Sequence, residues 1–246
     1  MAHASADSVQ VSVVVPVKDE AGNVVPLARE IAAALHGESY EAIFVDDGSS
    51  DSTVAELLSL RDSMPVRVLS HGRNLGQSRA VRTGVRAARA PLVVTLDGDG
   101  QNNPADIPKL IAAFRGAAND PAVAMIAGER AKREDSWKKR WASRYGNKIR
   151  RWMLSDNAKD TGCGLKAFRR EAFLELPYFD HMHRYLITLM LREGHQVYFM
   201  PVGHRPRGAG RSKYGVWDRA MVGLTDLLGV MWLKRRFRGP DLPKEW

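Results

Sequence analysis

The sequence is poor in cysteine and contains no hydrophobic run long enough to span a bilayer. Its single cysteine, Cys163, excludes an internal disulfide framework and is typical of a protein from a reducing compartment. We expect Cys163 to be a small, buried or neutral residue. The N-terminal stretch "MAHASADSVQ" lacks the basic and apolar regions of a signal peptide. The longest late apolar stretch, residues 220–233, contains Asp226 and is shorter than the ~20 residues that a spanning helix needs. We therefore expect a cytoplasmic protein without a transmembrane helix.

Several nucleotide and metal motifs are also missing. No G-x-G-x-x-G follows the first strand-like run, which argues against a dinucleotide-binding oxidoreductase. No G-x-x-x-x-G-K-[ST] occurs, which excludes the P-loop enzymes. The seven histidines are scattered and form no cluster with Cys163, so nothing supports a zinc site.

Acidic residues are outnumbered, and the formal net charge is +9. The imbalance is concentrated between residues 128 and 151, where ten Lys or Arg residues accompany three acids. Such a balance predicts an anionic partner, which could be nucleic acid, an acidic membrane face or a phosphorylated substrate.

The first half of the chain alternates strand-like and helix-like segments. Short apolar strands that alternate with helices predict an α/β fold with a mostly parallel sheet covered by helices on both faces. The predicted strands lie at 11–17, at the start of 40–53, at 66–71 and in 91–99, and the predicted helices lie at 23–35 and 78–90.

Three of these strands end in acidic tips, at residues 16–20, 45–51 and 96–101. In the last tip, Asp97 and Asp99 are two residues apart and would point the same way from a strand. Mg²⁺ and Mn²⁺ favour oxygen ligands of this kind. An ordinary Asp-Gly turn would account for the same residues equally well. Because ligands bind at the carboxyl ends of the strands in open sheets, the three tips together favour a shared cleft.

Several motifs, in this order and spacing, resemble the inverting family 2 glycosyltransferases of the GT-A fold. They are "VVVPVKDEAGNV", "FVDDGSSDST", "GRNLGQSRAVRTG" and "VTLDGDGQNNP". Three later pieces, "AGERAKR", "DTGCGLKAFRRE" and "HRPRGAGRSKYG", resemble the polyprenyl-phosphate branch of that family, which includes the dolichyl-phosphate mannosyltransferases. The resemblance implies a metal-dependent hexosyltransferase of cell-envelope glycan synthesis. It would move a sugar from a UDP- or GDP-linked donor to a polyprenyl phosphate such as undecaprenyl or dolichyl phosphate.

The resemblance also implies roles for residues of the three tips. Nucleotide-sugar contacts fall on Pro16, Val17, Glu20, Asp47, Asp97 and Asp99. A Mg²⁺ or Mn²⁺ ion would be held by Asp97, Asp99 and Gln101, with Asp99 among the catalytic residues. The chain departs from the family pattern at Lys18-Asp19 in the first tip and at Gly98, where the family often has Ala or Met.

The basic segments are candidates for the acceptor phosphate. The resemblance assigns Arg130, Arg140 and Ser143 to the lipid phosphate. A Gly-rich segment adds Arg205, Arg211, Ser212 and Lys213, and its composition suits a loop that closes over phosphates. Asp160 matches the position often assigned as the catalytic base. A phosphate acceptor needs such a base less than a sugar hydroxyl does, because its second pKa is about 6.

Two other functions fit parts of the sequence. A nucleic-acid-binding protein would account for the basic charge and the interleaved aromatics. However, no nucleic-acid-binding motif is present, and an acidic cleft would repel phosphates unless a metal ion were bound there. A GT-A glycosyltransferase that acts on a saccharide hydroxyl of a glycolipid or polysaccharide is the main alternative. The Gln-x-x-Arg-Trp motif of processive members is absent, and "HMHRYL" occupies a comparable place.

The C-terminal part predicts a second unit. We expect a glycosyltransferase domain over 1–215 and a basic, amphipathic segment over 216–246 that binds a membrane surface or a small integral membrane partner. Its apolar positions recur at three- and four-residue steps, as on one helix face. They are Val216, Trp217, Met221, Leu224, Leu227, Leu228, Met231 and Trp232, and "KRRFR" follows them. The helix would lie on the cytoplasmic membrane face, which makes the protein peripheral. The alternative is a helix that packs on the protein's own core.

Overall fold

The structure, a computed structural model, describes residues 8–130, 153–154, 156, 158, 160–205 and 216–239. Within these residues seven strands form one sheet. The strands are β1 (Val11–Val17), β2 (Tyr40–Asp46), β3 (Val66–Ser70), β4 (Leu92–Thr95), β5 (Val123–Arg130), β6 (Lys166–Arg169) and β7 (Gln196–Val202). The α-helices are α1 (Val24–Ala34), α2 (Thr53–Leu58), α3 (Gln77–Ala87), α4 (Ile107–Gly116), α5 (Arg170–Glu175), α6 (Leu186–Arg192) and α7 (Val216–Arg236).

The strand order is β3-β2-β1-β4-β6-β5-β7. The first four strands are parallel, β6 runs antiparallel to both of its neighbours, and β7 is parallel to β5. The predicted mostly parallel sheet is therefore confirmed. The antiparallel β6 is inserted between β4 and β5, although β5 comes earlier in the chain.

Both faces of the sheet are covered, as the near-continuous apolar strands predict. Alternate residues of β1 enter different cores: Val13 and Val15 belong to one buried cluster and Val14 to the other. The first cluster takes in the apolar side chains of α1, α2 and α4. The second takes in those of α3, α5 and α6 together with part of α7. Helices therefore cover both faces of the sheet, as predicted.

The predicted element boundaries agree to within a few residues. Strand β1 has the predicted ends, and α1 falls one residue inside the predicted range at each end. Helix α3 stops at Ala87, before the predicted end at residue 90, because Ala88 adopts an extended backbone that leads the chain into β4. Strands β6 and β7 were not predicted, because β6 has only four residues and β7 has several exposed or partly exposed residues.

No helix in the described part of the chain combines the length and apolar character needed to cross a bilayer. The segment for which we predicted a membrane or partner role contains α7. That role stays a prediction at this point.

A close approach between α3 and the sheet provides a test of this packing. A Cβ atom on Gly84 would lie 2.4 Å from Val14 Cγ1 and 3.1 Å from Val45 Cγ2, inside the second core. We expect Gly84→Ala to lower the free energy of unfolding by about 1–3 kcal/mol, because the extra methyl group overpacks a filled interior.

Urea denaturation would measure this change. The matched control is Gly116→Ala at the end of α4, where a Cβ atom would meet nothing within 4 Å. This substitution should leave stability unchanged or raise it by up to about 1 kcal/mol, because alanine is the better helix former. Equal effects of the two substitutions would show that α3 does not pack on β1 and β2 as described.

Candidate functional site

A cleft of about 610 Å³ opens at the carboxyl ends of β1, β2 and β4. The strand order reverses between β1 and β4, and crevices at such points are the usual ligand sites of open α/β sheets. The cleft is completed by residues 161–166 and by the segment before α6. The predicted nucleotide and metal residues all line it: Pro16, Val17, Glu20, Asp47, Asp97, Asp99 and Gln101. Residues from three separate tips thus share one cavity.

The Asp97 carboxylate lies directly after β4 in a poorly solvated position. Gln77 Nε2 donates to Asp97 Oδ1 over 2.9 Å, and the backbone N–H of Asp97 donates to Asn102 Oδ1 over 2.9 Å. Desolvation, assisted by the negative charge of Asp99, raises the pKa of Asp97 to about 6. The two carboxylates therefore repel each other within the cleft, and a cation between them would relieve this repulsion.

Two glycines permit this arrangement. A Cβ atom on Gly164 would lie 2.3 Å from Asp97 Oδ2, so only glycine fits beside the carboxylate. A Cβ atom on Gly98 would lie 2.6 Å from Val17 Cγ1 and 2.9 Å from the carbonyl oxygen of Pro16. The departure from the family pattern at Gly98 therefore has a structural reason, because the tip of β4 lies directly against the tip of β1.

A lysine offsets part of the negative charge of Asp97. Lys166, the first residue of β6, is buried and lines the cleft, and its Nζ donates to the carbonyl oxygen of Cys163. Burial lowers the pKa of Lys166, and the nearby negative charge of Asp97 opposes this shift. Cys163 is itself buried, and burial raises the pKa of its thiol, so the expectation of a buried, neutral cysteine is confirmed.

The donor set suits a hard divalent cation that shares its coordination with a substrate. Asp97 and Asp99 offer carboxylate oxygens, Gln101 offers an amide oxygen, and the backbone N–H of Gln101 donates to Asp99 Oδ1 over 3.1 Å. Among the described residues no group of three His, Cys, Asp or Glu side chains is placed to hold a metal alone. Mg²⁺ is commonly bound by one or two carboxylates together with substrate phosphates and water, which fits this set.

Asp47 organises the rim of the cleft. Its Oδ1 accepts from the backbone N–H of Leu75 over 2.9 Å and lies 2.9 Å from His71 Nδ1, and its Oδ2 accepts from the backbone N–H of Gly76 over 2.8 Å. The neighbouring Asp46 accepts from Ser70 Oγ and from the backbone N–H of Ser49. The acidic tip of β2 is thus compensated largely by protein donors.

The tip of β1 is bonded to the same region. The backbone N–H of Asp19 donates to Ser49 Oγ over 2.8 Å, and Asp19 Oδ1 accepts from the backbone N–H of Ser50 over 2.8 Å. Glu20 Oε2 accepts from Asn23 Nδ2 over 2.8 Å. Ser49 and Ser50 therefore join the tips of β1 and β2.

Arg130 and Asp160 form a bidentate ion pair next to the cleft wall. Arg130 Nε lies 2.6 Å from Asp160 Oδ2, and an Arg130 terminal nitrogen lies 2.7 Å from Asp160 Oδ1. Both side chains are mostly buried. The pairing raises the pKa of Arg130, and the charge of this guanidinium opposes, to a small extent, the rise that desolvation causes in the pKa of Asp97. A Cβ atom on Gly162, in the wall, would lie 3.1 Å from the Arg130 guanidinium.

Of the remaining residues predicted to bind the acceptor, Arg205 does not line the cleft. Arg205 lies beside the loop that follows β4, where it pairs with Glu30 over 2.7 Å and its backbone N–H donates to the carbonyl oxygen of Gln101. It therefore supports the loop that contains Asp99 and Gln101 from the side of α1. The other predicted acceptor residues, Arg140, Ser143, Arg211, Ser212 and Lys213, lie outside the described residues.

Sequence reasoning missed three cleft residues: Gln77, Lys166 and His183. Gln77 and Lys166 occur inside motifs that carried the resemblance, but their types alone indicated no role. His183 lies in the segment that replaces the processive motif. Desolvation lowers the pKa of His183 to about 3, and Ser78 Oγ lies 2.7 Å from its Nδ1. His183 is thus a neutral polar group in the cleft wall, next to α3.

A family model and two similar proteins agree on the kind of protein that this chain resembles. A model of the family described as Glycosyl transferase family 2 matches residues 12–176. The dodecaprenyl-phosphate galacturonate synthase of Rhizobium johnstonii is 32% identical over 235 residues, covering 93% of this chain and 68% of that protein. An undecaprenyl-phosphate 4-deoxy-4-formamido-L-arabinose transferase from Edwardsiella ictaluri is 34% identical over 211 residues, covering 84% of this chain and 63% of that protein. The chain spans about two thirds of the length of these relatives.

Solved structures support the fold. The glucosyl-3-phosphoglycerate synthase from Mycobacterium tuberculosis in complex with Mn²⁺, UDP-glucose and phosphoglyceric acid has a TM-score of 0.66 at 18% identity, covering 94% of this chain and 81% of that chain. The same protein in complex with Mg²⁺ and UDP also has a TM-score of 0.66. At this identity the likeness is evidence for the fold alone.

Proposed function

Because the chain belongs to glycosyl transferase family 2 and has the GT-A fold, we propose that it is an inverting enzyme that transfers a sugar from a nucleotide-diphosphate sugar to a polyprenyl phosphate. The names of the two similar proteins support the acceptor class. One structural observation carries the proposal. The Asp97–Asp99 pair lies in the cleft, and a guanidinium fixed by a buried carboxylate lies next to its wall.

The donor half of the cleft follows from the strand tips. We assign the base and ribose to the surface formed by Pro16, Val17 and Glu20, with the rim shaped by Asp47. The diphosphate would then extend towards Asp97 and Asp99. Mg²⁺ or Mn²⁺, held by these carboxylates and Gln101, would supply Lewis-acid stabilisation of the leaving diphosphate. Gln77 would hold Asp97 in position for this role through its hydrogen bond, and the positive charge of Lys166 would offset part of the charge of Asp97.

The acceptor half needs positive charge. An oxygen of the acceptor phosphate attacks the anomeric carbon from the face opposite the diphosphate, the bond from that carbon to the diphosphate oxygen breaks, and the nucleoside diphosphate leaves with the electron pair. At neutral pH the phosphate monoester is largely ionised, because its second pKa is about 6. Arg130 would offset the repulsion between this anion and the diphosphate. The basic residues predicted near 140 and 211 would extend this site.

The hydrogen bonds that Asp160 accepts favour a phosphate acceptor over a sugar hydroxyl. A hydroxyl acceptor requires a general base that can accept a proton during attack. Both oxygens of Asp160 are instead engaged by Arg130, and Asp160 Oδ1 also accepts from the backbone N–H of Gly162. We infer that Asp160 acts by orienting Arg130. A saccharide hydroxyl acceptor remains the alternative that experiment must exclude.

The function is tested by incubating the full chain with a panel of UDP- and GDP-linked sugars, a short-chain polyprenyl phosphate and Mn²⁺ or Mg²⁺. We expect mass spectrometry of the lipid to show one sugar added through a phosphodiester that mild acid cleaves. Parallel reactions replace the lipid phosphate with a polyprenol or with oligosaccharides. Transfer to a saccharide hydroxyl and none to the lipid phosphate would overturn the proposal.

We expect the reaction to need a metal ion that Asp99 helps to bind. Asp99→Ala should lower turnover by about 10²–10³-fold, the range found when one electrostatic contact to a developing charge is removed. The matched control is Asp62→Ala, an exposed carboxylate between α2 and β3, which should retain full turnover. EDTA should abolish the wild-type activity, and Mn²⁺ or Mg²⁺ should restore it. Full activity in EDTA would contradict the assignment.

The role of Asp160 can be separated from that of a general base by kinetics. If Asp160 orients Arg130, both Asp160→Asn and Arg130→Ala should raise KM for the lipid phosphate about tenfold or more, while the Kd of the nucleotide changes less than about threefold. The pH dependence of kcat should keep its shape. A general base would instead show a kcat loss of about 10²–10⁴-fold with KM unchanged.

The chain offers a matched control for this pair. Arg115 and Glu38 form another bidentate pair, with both distances 2.8 Å, on the surface away from the cleft. Glu38→Gln and Arg115→Ala should leave both kinetic constants unchanged. Thermal unfolding of the Asp160 and Arg130 variants would show whether the fold is retained, and equal losses of nucleotide and acceptor affinity would refute the division of the site.

A further inference from the structure

Helix α7 carries apolar side chains on two different faces. Leu227 and Val230 are 8% and 0% exposed and belong to the same buried cluster as Leu186 and Met190. Leu224, Leu228 and Trp232 are instead 51%, 52% and 58% exposed. The sequence periodicity placed Leu227 in one stripe with the three exposed residues, whereas the structure places it on an inner face and the other three on an outer face.

The three exposed residues form a continuous strip. They follow one another at steps of four residues, so they lie on one side of the helix. At a rise of 1.5 Å per residue the strip is about 12 Å long. Large apolar side chains exposed in a row, unlike single ones, usually mark an interaction surface. We call this strip, with the exposed arginines that follow it, the outer face of α7.

Positive charge continues the outer face. Arg235, Arg236 and Arg238 are exposed at the end of the helix and just after it. The Arg236 guanidinium lies 5.7 Å from the centroid of the Trp232 ring, so the charge and the aromatic ring are adjacent. Lys234 points inwards and donates to the carbonyl oxygen of Leu154. The sequence contains no acid from residue 227 to residue 239.

Contacts hold α7 against the segment that enters the cleft. Tyr185 Oη donates to the carbonyl oxygen of Gly223 over 3.3 Å, and His181 Nδ1 lies 3.2 Å from an Asp226 carboxylate oxygen. Between these anchors lie His183 and Arg184, which line the cleft. The outer face therefore has a fixed position relative to the cleft wall.

We propose that the outer face of α7 lies in the interfacial region of an anionic bilayer, parallel to the membrane plane. Apolar side chains with a tryptophan would enter the boundary between headgroups and acyl chains, and the arginines would contact anionic headgroups. This inference rests on the proposed function in one respect, the choice of a bilayer as the binding partner. A polyprenyl carrier stays in the membrane, so the cleft must reach the membrane surface. Charge complementarity selects the bilayer over a second copy, because two outer faces would bring six exposed arginines together.

Vesicle co-sedimentation of the full chain tests the proposal directly. We expect wild-type protein to bind vesicles of phosphatidylcholine with 30% phosphatidylglycerol at least about tenfold more strongly than vesicles of phosphatidylcholine alone. The double substitution Leu224→Ser with Leu228→Ser should reduce binding about tenfold or more. Arg235→Gln with Arg236→Gln should weaken binding to the anionic vesicles and flatten its dependence on salt.

Control variants keep the test specific. Leu58→Ser replaces another exposed leucine, 46% exposed on α2, and should bind vesicles as the wild type does. Nucleotide binding, measured by calorimetry, should be unchanged in all of these variants. Vesicle binding that the outer-face substitutions leave unchanged would overturn the proposal. So would a wild-type dimer that the same substitutions dissociate, because the face would then join two copies.

Activity measurements separate this proposal from the proposed function. The outer-face variants should retain turnover with a short-chain polyprenyl phosphate in solution and lose it about tenfold with a long-chain acceptor in vesicles. Vesicle binding by the outer face without any transfer would refute the function and support the docking surface. Transfer that is equal with both acceptors in all variants would refute the docking surface and support the function.

Discussion

The poorly solvated carboxylate of Asp97 is the constraint around which this cleft is arranged. A carboxylate in such a position needs donors and positive charge, because burial disfavours its ionised form. Gln77 from the start of α3 donates to it, Lys166 from β6 offsets part of its charge, and Gly164 leaves it the necessary space. Those three residues come from two segments that are distant in sequence. The antiparallel β6, inserted beside β4, is what brings Gly164 and Lys166 to the end of β4.

Sequence patterns predicted the parts of this arrangement that depend on local geometry. The alternation of strands and helices gave the parallel half of the sheet, and the two-residue spacing brought Asp97 and Asp99 to the same strand end. The position of β6 could not be predicted in this way. Its four residues carry no distinctive period, and its pairing joins Val94 to Ala167, 73 positions further along the chain. Separation in sequence also hid the roles of Gln77 and Lys166, whose residue types alone do not indicate proximity to Asp97.

The acidic tips show a second limit of sequence reasoning. Three tips suggested a cleft with a large excess of negative charge, yet protein donors compensate much of it. Asp47 accepts from the backbone of the loop before α3, and Asp19 accepts from Ser50 at the tip of β2. Which carboxylate is bonded internally depends on the loops that reach it in the folded chain. The repulsion that a cation would relieve is therefore concentrated at Asp97 and Asp99.

Helix α7 shows why periodicity alone cannot separate a core face from a docking face. Apolar residues at three- and four-residue steps cover a wide arc of a helix, and only tertiary contacts decide which part of the arc is covered. Here Val230 is enclosed by the second core, whereas Leu228 and Trp232 face outwards. The basic residues divide in the same way, since Lys234 bonds the protein and Arg235 and Arg236 face solvent. Because Tyr185 and His181 contact the helix beside the cleft, a membrane that bound α7 would also set the direction from which the proposed acceptor approaches Arg130.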